Sequence, residues 1–421
     1  MKDAKSVEAL VEQLKEFGEV SGLELNVSKS KIMWIGRDRH KRESICGIPS
    51  SDSVKILGIW FSSTDCCVSQ NLNPAINQIR NTINMWCQRD LSLKGRITVS
   101  KSLLVSKLIY IISCVIIPEV NLKSIQTLIM KYVWRGRPPK VKNKVICQSI
   151  TDGGLAAADV QVTYTSLKLS WIRRLMEGNA TWARVFKARC YPYAVKDLLR
   201  SRYTREDLQN IGLLEFYVCM LLEYRKLHES VPCTSVQMLR DSVWFNSMIT
   251  MNGRSIFDRS MYNCGIKCVG DFVDNFGKML TYEQFKRKYP ECNISFLRYA
   301  GIVSSVPRSW KEKIRNAGIG MRAEDKDKEP CIKYRDQEIQ LRLIQTKQIY
   351  SVVSKATVIP TAVQRWQNEG FDHISWSDVM LMPYKCTKST KLQAFQYQII
   401  HRFIPTNKYL YVRGIKESAA C

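Results

Sequence analysis

The sequence predicts an α+β, mostly α chain, and three observations carry that expectation. Apolar residues recur at helical spacing along most of its length. Only two short segments read as β structure, a strand at Lys31–Ile35 and a hairpin-like segment at Val54–Phe61. At 421 residues the chain is too long for one ordinary core, so two or three structural units are expected.

Taken in order, Val7, Leu10, Val11, Leu14 and Phe17 make one helical face that Gly18 and Gly22 close. The strand at Lys31–Ile35 follows, then Val54–Phe61, where Gly58 inside an apolar run marks a bulge or a close backbone approach. Asn73-Pro74 reads as a cap followed by proline at the first helical position, with Ile76, Ile79, Ile83 and Trp86 on one face. A second helix runs through Ile97, Leu104, Leu108, Ile111 and Val115 and ends before Pro118; a third carries Ile125, Leu128, Ile129, Tyr132 and Val133. Past the turn Asp152-Gly153-Gly154, helices are expected over Tyr164–Met176, Arg205–His228 and Tyr282–Lys288, the last opening on a Thr281/Gln284 capping box. Lys311–Glu329, charged and Gly-containing, reads as a linker.

Lys and Arg number 64 against 38 Asp and Glu, a formal charge of +26. Such self-repulsion is usually compensated by a polyanion, which puts nucleic acid first and an anionic membrane surface second. The most apolar run, Leu108–Ile117, is ten residues, short of the ~20 that span a bilayer, so no membrane partner is expected. The start of the chain lacks the apolar core of a signal peptide. The 15 cysteines are scattered without a framework, which suits free thiols in a reducing compartment; Cys264 and Cys268 are the pair closest to a metal spacing and have no histidine nearby. The expected location is intracellular, nuclear or cytoplasmic, and not secreted. His40, His228, His373 and His401 show no triad-like or metal-like spacing.

The positive charge is concentrated. Residues 85–150 hold twelve Lys or Arg against Asp90 and Glu119, and 131–144 hold Lys131, Arg135, Arg137, Lys140, Lys142 and Lys144 with no acid. Tyr132 and Trp134 are interleaved, and Pro138-Pro139 stiffens the stretch. A run of this kind can hold several phosphates, releasing a counterion at each, while its aromatics stack on unpaired bases or anchor a solvated basic loop.

Several segments are recognisable together. Phe17 followed by Ser21-Gly22-Leu23-Glu24-Leu25-Asn26-Val27-Ser28-Lys29-Ser30-Lys31 resembles the post-catalytic palm segment of LINE-type (non-LTR) retrotransposon reverse transcriptases. Lys55-Ile56-Leu57-Gly58-Ile59 is similar to that family's Leu-Gly hairpin at the primer end, and Leu91-Ser92-Leu93-Lys94-Gly95-Arg96 to its thumb entry. Tyr132-Val133-Trp134-Arg135-Gly136 and Gly153-Gly154-Leu155 keep the family's order. Trp244-Phe245-Asn246, Gly265-Ile266 to Asp271-Phe272, and Tyr299 to Trp310 resemble the region beyond the thumb; Phe395-Gln396-Tyr397 through Leu410 and Gly414-Ile415-Lys416 resemble the stretch before its zinc knuckle. Singly these motifs are weak; their shared order across nearly the whole chain is what is specific.

The resemblance implies an incomplete right-hand polymerase palm remnant followed by a helical thumb and a helical C-terminal region. Its segments would be 1–65 (partial palm), 66–150 (basic thumb), 151–310 (helical C-terminal region), 311–330 (charged linker) and 331–421 (leading to a truncated zinc knuckle). Family members carry an aromatic-x-Asp-Asp turn just before the helix that begins here near Val7; no Asp-Asp pair occurs in this sequence, and Asp3 and Glu8 are poor substitutes. Two-metal nucleotide addition needs such carboxylates. No catalytic residue is therefore expected beyond a vestigial role for Lys29 or Lys31 near the incoming nucleotide. No cofactor is expected in this chain: Mg²⁺ and Zn²⁺ belong to the complete family enzyme, with Cys421 standing where the first knuckle ligand would be.

The expected partner is RNA or an RNA/DNA hybrid, gripped through its backbone. The candidate contact residues are Gly58, Lys94, Arg96, Lys101, Lys131, Trp134, Arg135, Arg137, Lys140, Lys142 and Lys144, against the plainer reading of exposed helix charges. Trp86 and Trp171 fit core anchors, as does Trp134, which alone among them lies in the basic run. Two other functions stay open: an active reverse transcriptase once the missing palm and fingers are supplied, and a structural or decayed remnant that binds nothing.

Overall fold

Asp3 opens the first helix, α1 (Ala4–Ser21), by accepting a hydrogen bond from the Ser6 amide, and Gly22 ends it in the left-handed region. The computed structural model describes residues 3–63, 67–229, 234–321, 328–335, 337–354, 358–412 and 414–420. It is 56% helix and 7% strand, an α+β, mostly α fold. It divides into two compact units, one of residues 1–160 with 358–421 and one of residues 161–357.

In the first unit the strand expected over Lys31–Ile35 is reduced to a single bridge from Ile32 to Ser50. Ile32 donates to the Pro49 carbonyl at 3.0 Å, and Pro49 has no amide with which to extend a ladder. Val54–Phe61 forms the hairpin expected of it: β1 (Ser53–Ile56) pairs antiparallel with β2 (Ile59–Ser62), Lys55 opposite Trp60. Leu57 and Gly58 turn the chain with φ of 49° and 84°, the left-handed pair that two-residue hairpin turns need. Gly58 is thus a turn residue, not a bulge within a strand.

Asn73-Pro74 does not start a helix. α2 runs Val68–Cys87 with Pro74 inside it. The reason is Asn71, buried near its start, whose amide accepts from Trp60 N at 2.8 Å and donates to the carbonyls of Trp60 (2.9 Å) and Cys67 (3.0 Å). One side chain so ties the helix to the open edge of the hairpin.

α3 is continuous over Leu93–Cys114, π-helical through Ser100–Val105, and α4 spans Glu119–Val133. By length and composition α3 is apolar enough to cross a membrane, further than the ten-residue run suggested. It packs against α2 and α4, however, with Ile97, Leu104, Leu108 and Ile112 in the unit's core. The unit is completed by helices Thr361–Asn368, Trp376–Cys386 and Thr390–Ile400, the last lying against α3.

The second unit packs short helices around Trp244, Phe272 and Phe285, all fully buried. The helix expected over Arg205–His228 is two, Arg205–Asn210 and Glu215–Glu229, parted where Gly212 takes φ 81°. The Thr281/Gln284 capping box opens Tyr282–Lys288 as the spacing predicts. The linker expected over 311–330 is a helix in its first part: Arg308–Ala317 buries Trp310 and Ile314, four residues apart on one face. Residues 322–327 of that segment lie outside the described residues. The segments Trp244-Phe245-Asn246 and Gly265–Phe272 prove to be scaffold. Asn246 is fully buried and donates to the Ser242 carbonyl at 2.7 Å, and Asp271 accepts from the amides of Lys267 (2.7 Å) and Cys268 (3.0 Å).

Candidate nucleic-acid interface

The basic run begins where α4 stops. Arg135 (φ 53°) and Gly136 (φ 71°) turn left-handed, and the Gly136 amide donates back to the Lys131 carbonyl at 2.8 Å, closing the helix end. Pro138-Pro139 then carries the chain to Val141, which is buried, before the short helix α5 (Asn143–Cys147). Trp134 and Val141 hold the segment at two points. Lys131, Arg137, Lys140, Lys142 and Lys144 stand exposed on it, and none of these side chains has an acidic partner among the described residues. Lys101, exposed on the π-helical stretch of α3, is likewise unpaired among the described residues.

Four of the residues expected at this interface are used inside the protein. Trp134 is buried and meets Phe403 edge-on, centroids 6.2 Å apart, so no ring face is left for a base. Arg96 donates to the Val133 carbonyl at 2.6 Å and to the Leu91 carbonyl. Burial holds its guanidinium below the usual range, abetted by the nearby Arg135. It staples the α4 terminus to the start of α3 instead of facing solvent. Arg135 reaches Asp90 and the Leu91 carbonyl, and that bond lowers the Asp90 carboxyl. Lys94 lies 4.3 Å over the Tyr384 ring and 3.4 Å from Gln393 Oε1, covered by the C-terminal helices. The physical reason is shared: cations near carbonyl-rich helix ends and aromatic faces find local partners.

Gly58 sits at the exposed hairpin tip beside Leu57, which is 86% exposed. What approaches it within the protein is Tyr110, whose ring lies 3.7 Å from where a Cβ would stand and whose hydroxyl donates to the Leu57 carbonyl. Lys29 and Lys31 are exposed, Lys29 in a short 3₁₀ turn capped by the Asn26 side chain at 3.0 Å. Cys421 lies outside the described residues. Among the described residues the cysteines are free thiols and no three His, Cys, Asp or Glu side chains converge as metal ligands. Cys268 is bonded to Asp271, not directed with Cys264 at a common centre.

Gly153-Gly154-Leu155 turns out to be a clasp. A Cβ on Gly154 would stand 2.1 Å from the Gln148 carbonyl oxygen and 2.5 Å from that of Val145; one on Gly153 would meet Pro360 at 2.7 Å. Gln148 donates to the Val358 carbonyl at 3.1 Å and accepts from its amide, seating the returning chain. The Tyr397 hydroxyl donates to the Gly153 carbonyl at 3.3 Å, and the buried His401 ring lies 4.2 Å from Tyr397. His401 also bonds the Gly153 backbone, but burial dominates and lowers its pKa to about 4; its Nε2 has no partner. Sequence periodicity could not find this site, since its residues come from segments more than 200 positions apart; the one signal was the unexplained glycine pair.

No protein-family model matches the chain. Its sequence is similar to a candidate ribonuclease H protein from Arabidopsis thaliana, 23% identical over 129 residues. The match takes in 29% of this chain and 21% of that protein, so the chain aligns with about a fifth of its relative's length.

Proposed function

We propose that this chain binds the sugar–phosphate backbone of RNA or an RNA/DNA hybrid, as the thumb and following region of a LINE-type reverse transcriptase would. One observation carries the proposal: five exposed cations, Lys131, Arg137, Lys140, Lys142 and Lys144, stand without an acidic partner among the described residues on a segment anchored by Trp134 and Val141. Fixed, unpaired cations contact phosphates without first breaking ion pairs, and such contacts position a duplex without reading its sequence. Lys101 extends the same grip along α3. The residues present do not fit a two-metal polymerase site, because the sequence has no adjacent aspartate pair. In this proposal the chain supplies backbone contact, and polymerisation needs carboxylates from elsewhere.

The test is a salt titration of binding to an RNA/DNA hybrid, wild type against a variant with all five cations changed to Gln. Log Kd against log salt should flatten by about 0.7 to 0.9 for each cation that touches a phosphate. Equal slopes for the two proteins would remove the assignment.

A further inference from the structure

The second unit carries a separate basic cleft. A cavity of 410 Å³ lies between the turn at Asp274–Met279 and one face of the helix Arg308–Ala317; Gly277, Lys278, Met279, Arg308, Lys311, Glu312 and Arg315 line it. Gly277 makes the close approach possible: it has φ 81°, and a Cβ there would stand 2.5 Å from the Ile314 carbonyl oxygen. Asp274 fixes the turn by accepting from the amides of Phe276 (2.9 Å) and Lys278 (2.8 Å). Lys278 is thereby carried to the helix face that bears Arg308, Lys311 and Arg315, while Trp310 and Ile314 bury the opposite face.

The charges are unbalanced. Glu312, the one acid lining the cleft, is 2.9 Å from Arg308. Lys278, Lys311 and Arg315 have no acidic partner among the described residues. Lys311 and Arg315, four apart, repel one another, as do Arg308 and Lys311, three apart, which weakens the helix unless an anion lies between them. Partial burial also lowers the Lys311 ammonium below its usual range. The cleft is within the size of ligand sites and larger than one small anion needs. Phe276, next to the cleft-lining Gly277, is 75% exposed. Cations in a concave site with a bare aromatic beside them are the combination that holds single-stranded nucleic acid.

We propose that this cleft is a phosphate-binding subsite for single-stranded RNA or DNA, with Phe276 as its base-stacking surface. The choice of nucleic acid as ligand rests on the function proposed above; the cleft and its charges do not. The test uses the full chain and a labelled single-stranded RNA of about 20 nucleotides. Three proteins are compared: wild type, Lys278→Gln/Lys311→Gln/Arg315→Gln, and the five-cation variant of the first unit. All the substituted side chains are exposed except the half-buried Lys311, and unchanged thermal midpoints would verify folding.

The cleft variant should lower the salt slope by about 2, from ~0.7 per lost contact on a single strand. Phe276→Ala should weaken binding about tenfold, the equivalent of 1.4 kcal/mol within the range of base–aromatic stacking. Wild-type slope in the cleft variant, with loss in the five-cation variant, overturns this inference and leaves the function standing. The reverse pattern supports the cleft and overturns the role of 131–144. No binding by wild type at low salt overturns both. Equal cleft-dependent binding to vesicles rich in anionic lipid overturns nucleic acid as the ligand.

Discussion

Lowering the pH from about 7.5 to about 4 should loosen the clasp that holds residues 358–421 to the rest of the first unit, and His401 is the group that does it. In the folded chain its pKa is lowered from 6.5 to about 4, chiefly by burial. The unfolded chain therefore takes up the proton first. Between pH 6.5 and 4 unfolding consumes a proton, so the stability is fully present above 6.5 and is lost as pH falls towards 4. At 1.36 kcal/mol per pKa unit the shift is worth about 3 kcal/mol. The comparison is urea unfolding followed by tryptophan fluorescence, wild type against His401→Leu, which cannot titrate and has no orphan Nε2. The difference between the two cancels other titrating groups, including Asp241 in the second unit. Burial raises Asp241 to about 6 against the pull of Arg202, so its contribution runs the opposite way, falling as pH rises from 3.8 to 6. If both proteins lose the same stability across the window, the buried, neutral His401 is not the origin.

Three further outcomes follow from the geometry. Gly154→Ala should destabilise the first unit by about 3 kcal/mol or more, because its Cβ meets fixed backbone carbonyls, whereas Gly136→Ala, left-handed in open space, should cost only about 1 to 2 kcal/mol; thermal melts of the pair check this. Arg96→Gln should cost about 1.5 to 3 kcal/mol of stability by freeing the Leu91 and Val133 carbonyls while leaving the salt slope for RNA unchanged, so a slope change as large as that of a surface lysine would return Arg96 to the interface. Asn71→Leu should strip both backbone groups of Trp60 of their partner, at about 2 kcal/mol, and amide exchange across residues 53–62 should rise with it; unchanged exchange there would show that Asn71 does not hold the hairpin.

Local rules located the helices up to Val133, and Tyr282–Lys288 beyond them, because their signals are local; many of the short helices of the later chain carry no such signal. The Thr281 capping box and the apolar faces of α3 and α4 needed only residues three or four apart. Where the rules failed, a distant partner had taken over the local group. Asn73-Pro74 has the local pattern of a helix start, and nothing near it in sequence shows that Asn71 bonds to Trp60. Lys311–Glu329 has the charged, Gly-containing composition of a linker, yet Trp310 and Ile314 are enough to seat a helix on a core.

The interface shows the same division. Composition alone determined that residues 131–144 are a dense positive run in a chain of formal charge +26, since charge does not depend on the fold. Tertiary structure decided which cations remain available. Arg96, Arg135 and Lys94 turn to carbonyls, an aspartate and an aromatic ring brought close by folding, while Lys131, Arg137, Lys140, Lys142 and Lys144 meet no acid among the described residues. It also decided that the glycine pair at 153–154 serves packing: the returning Pro360, Met380 and His401 leave no room for a Cβ on Gly153, and the Val145 and Gln148 carbonyls leave none on Gly154.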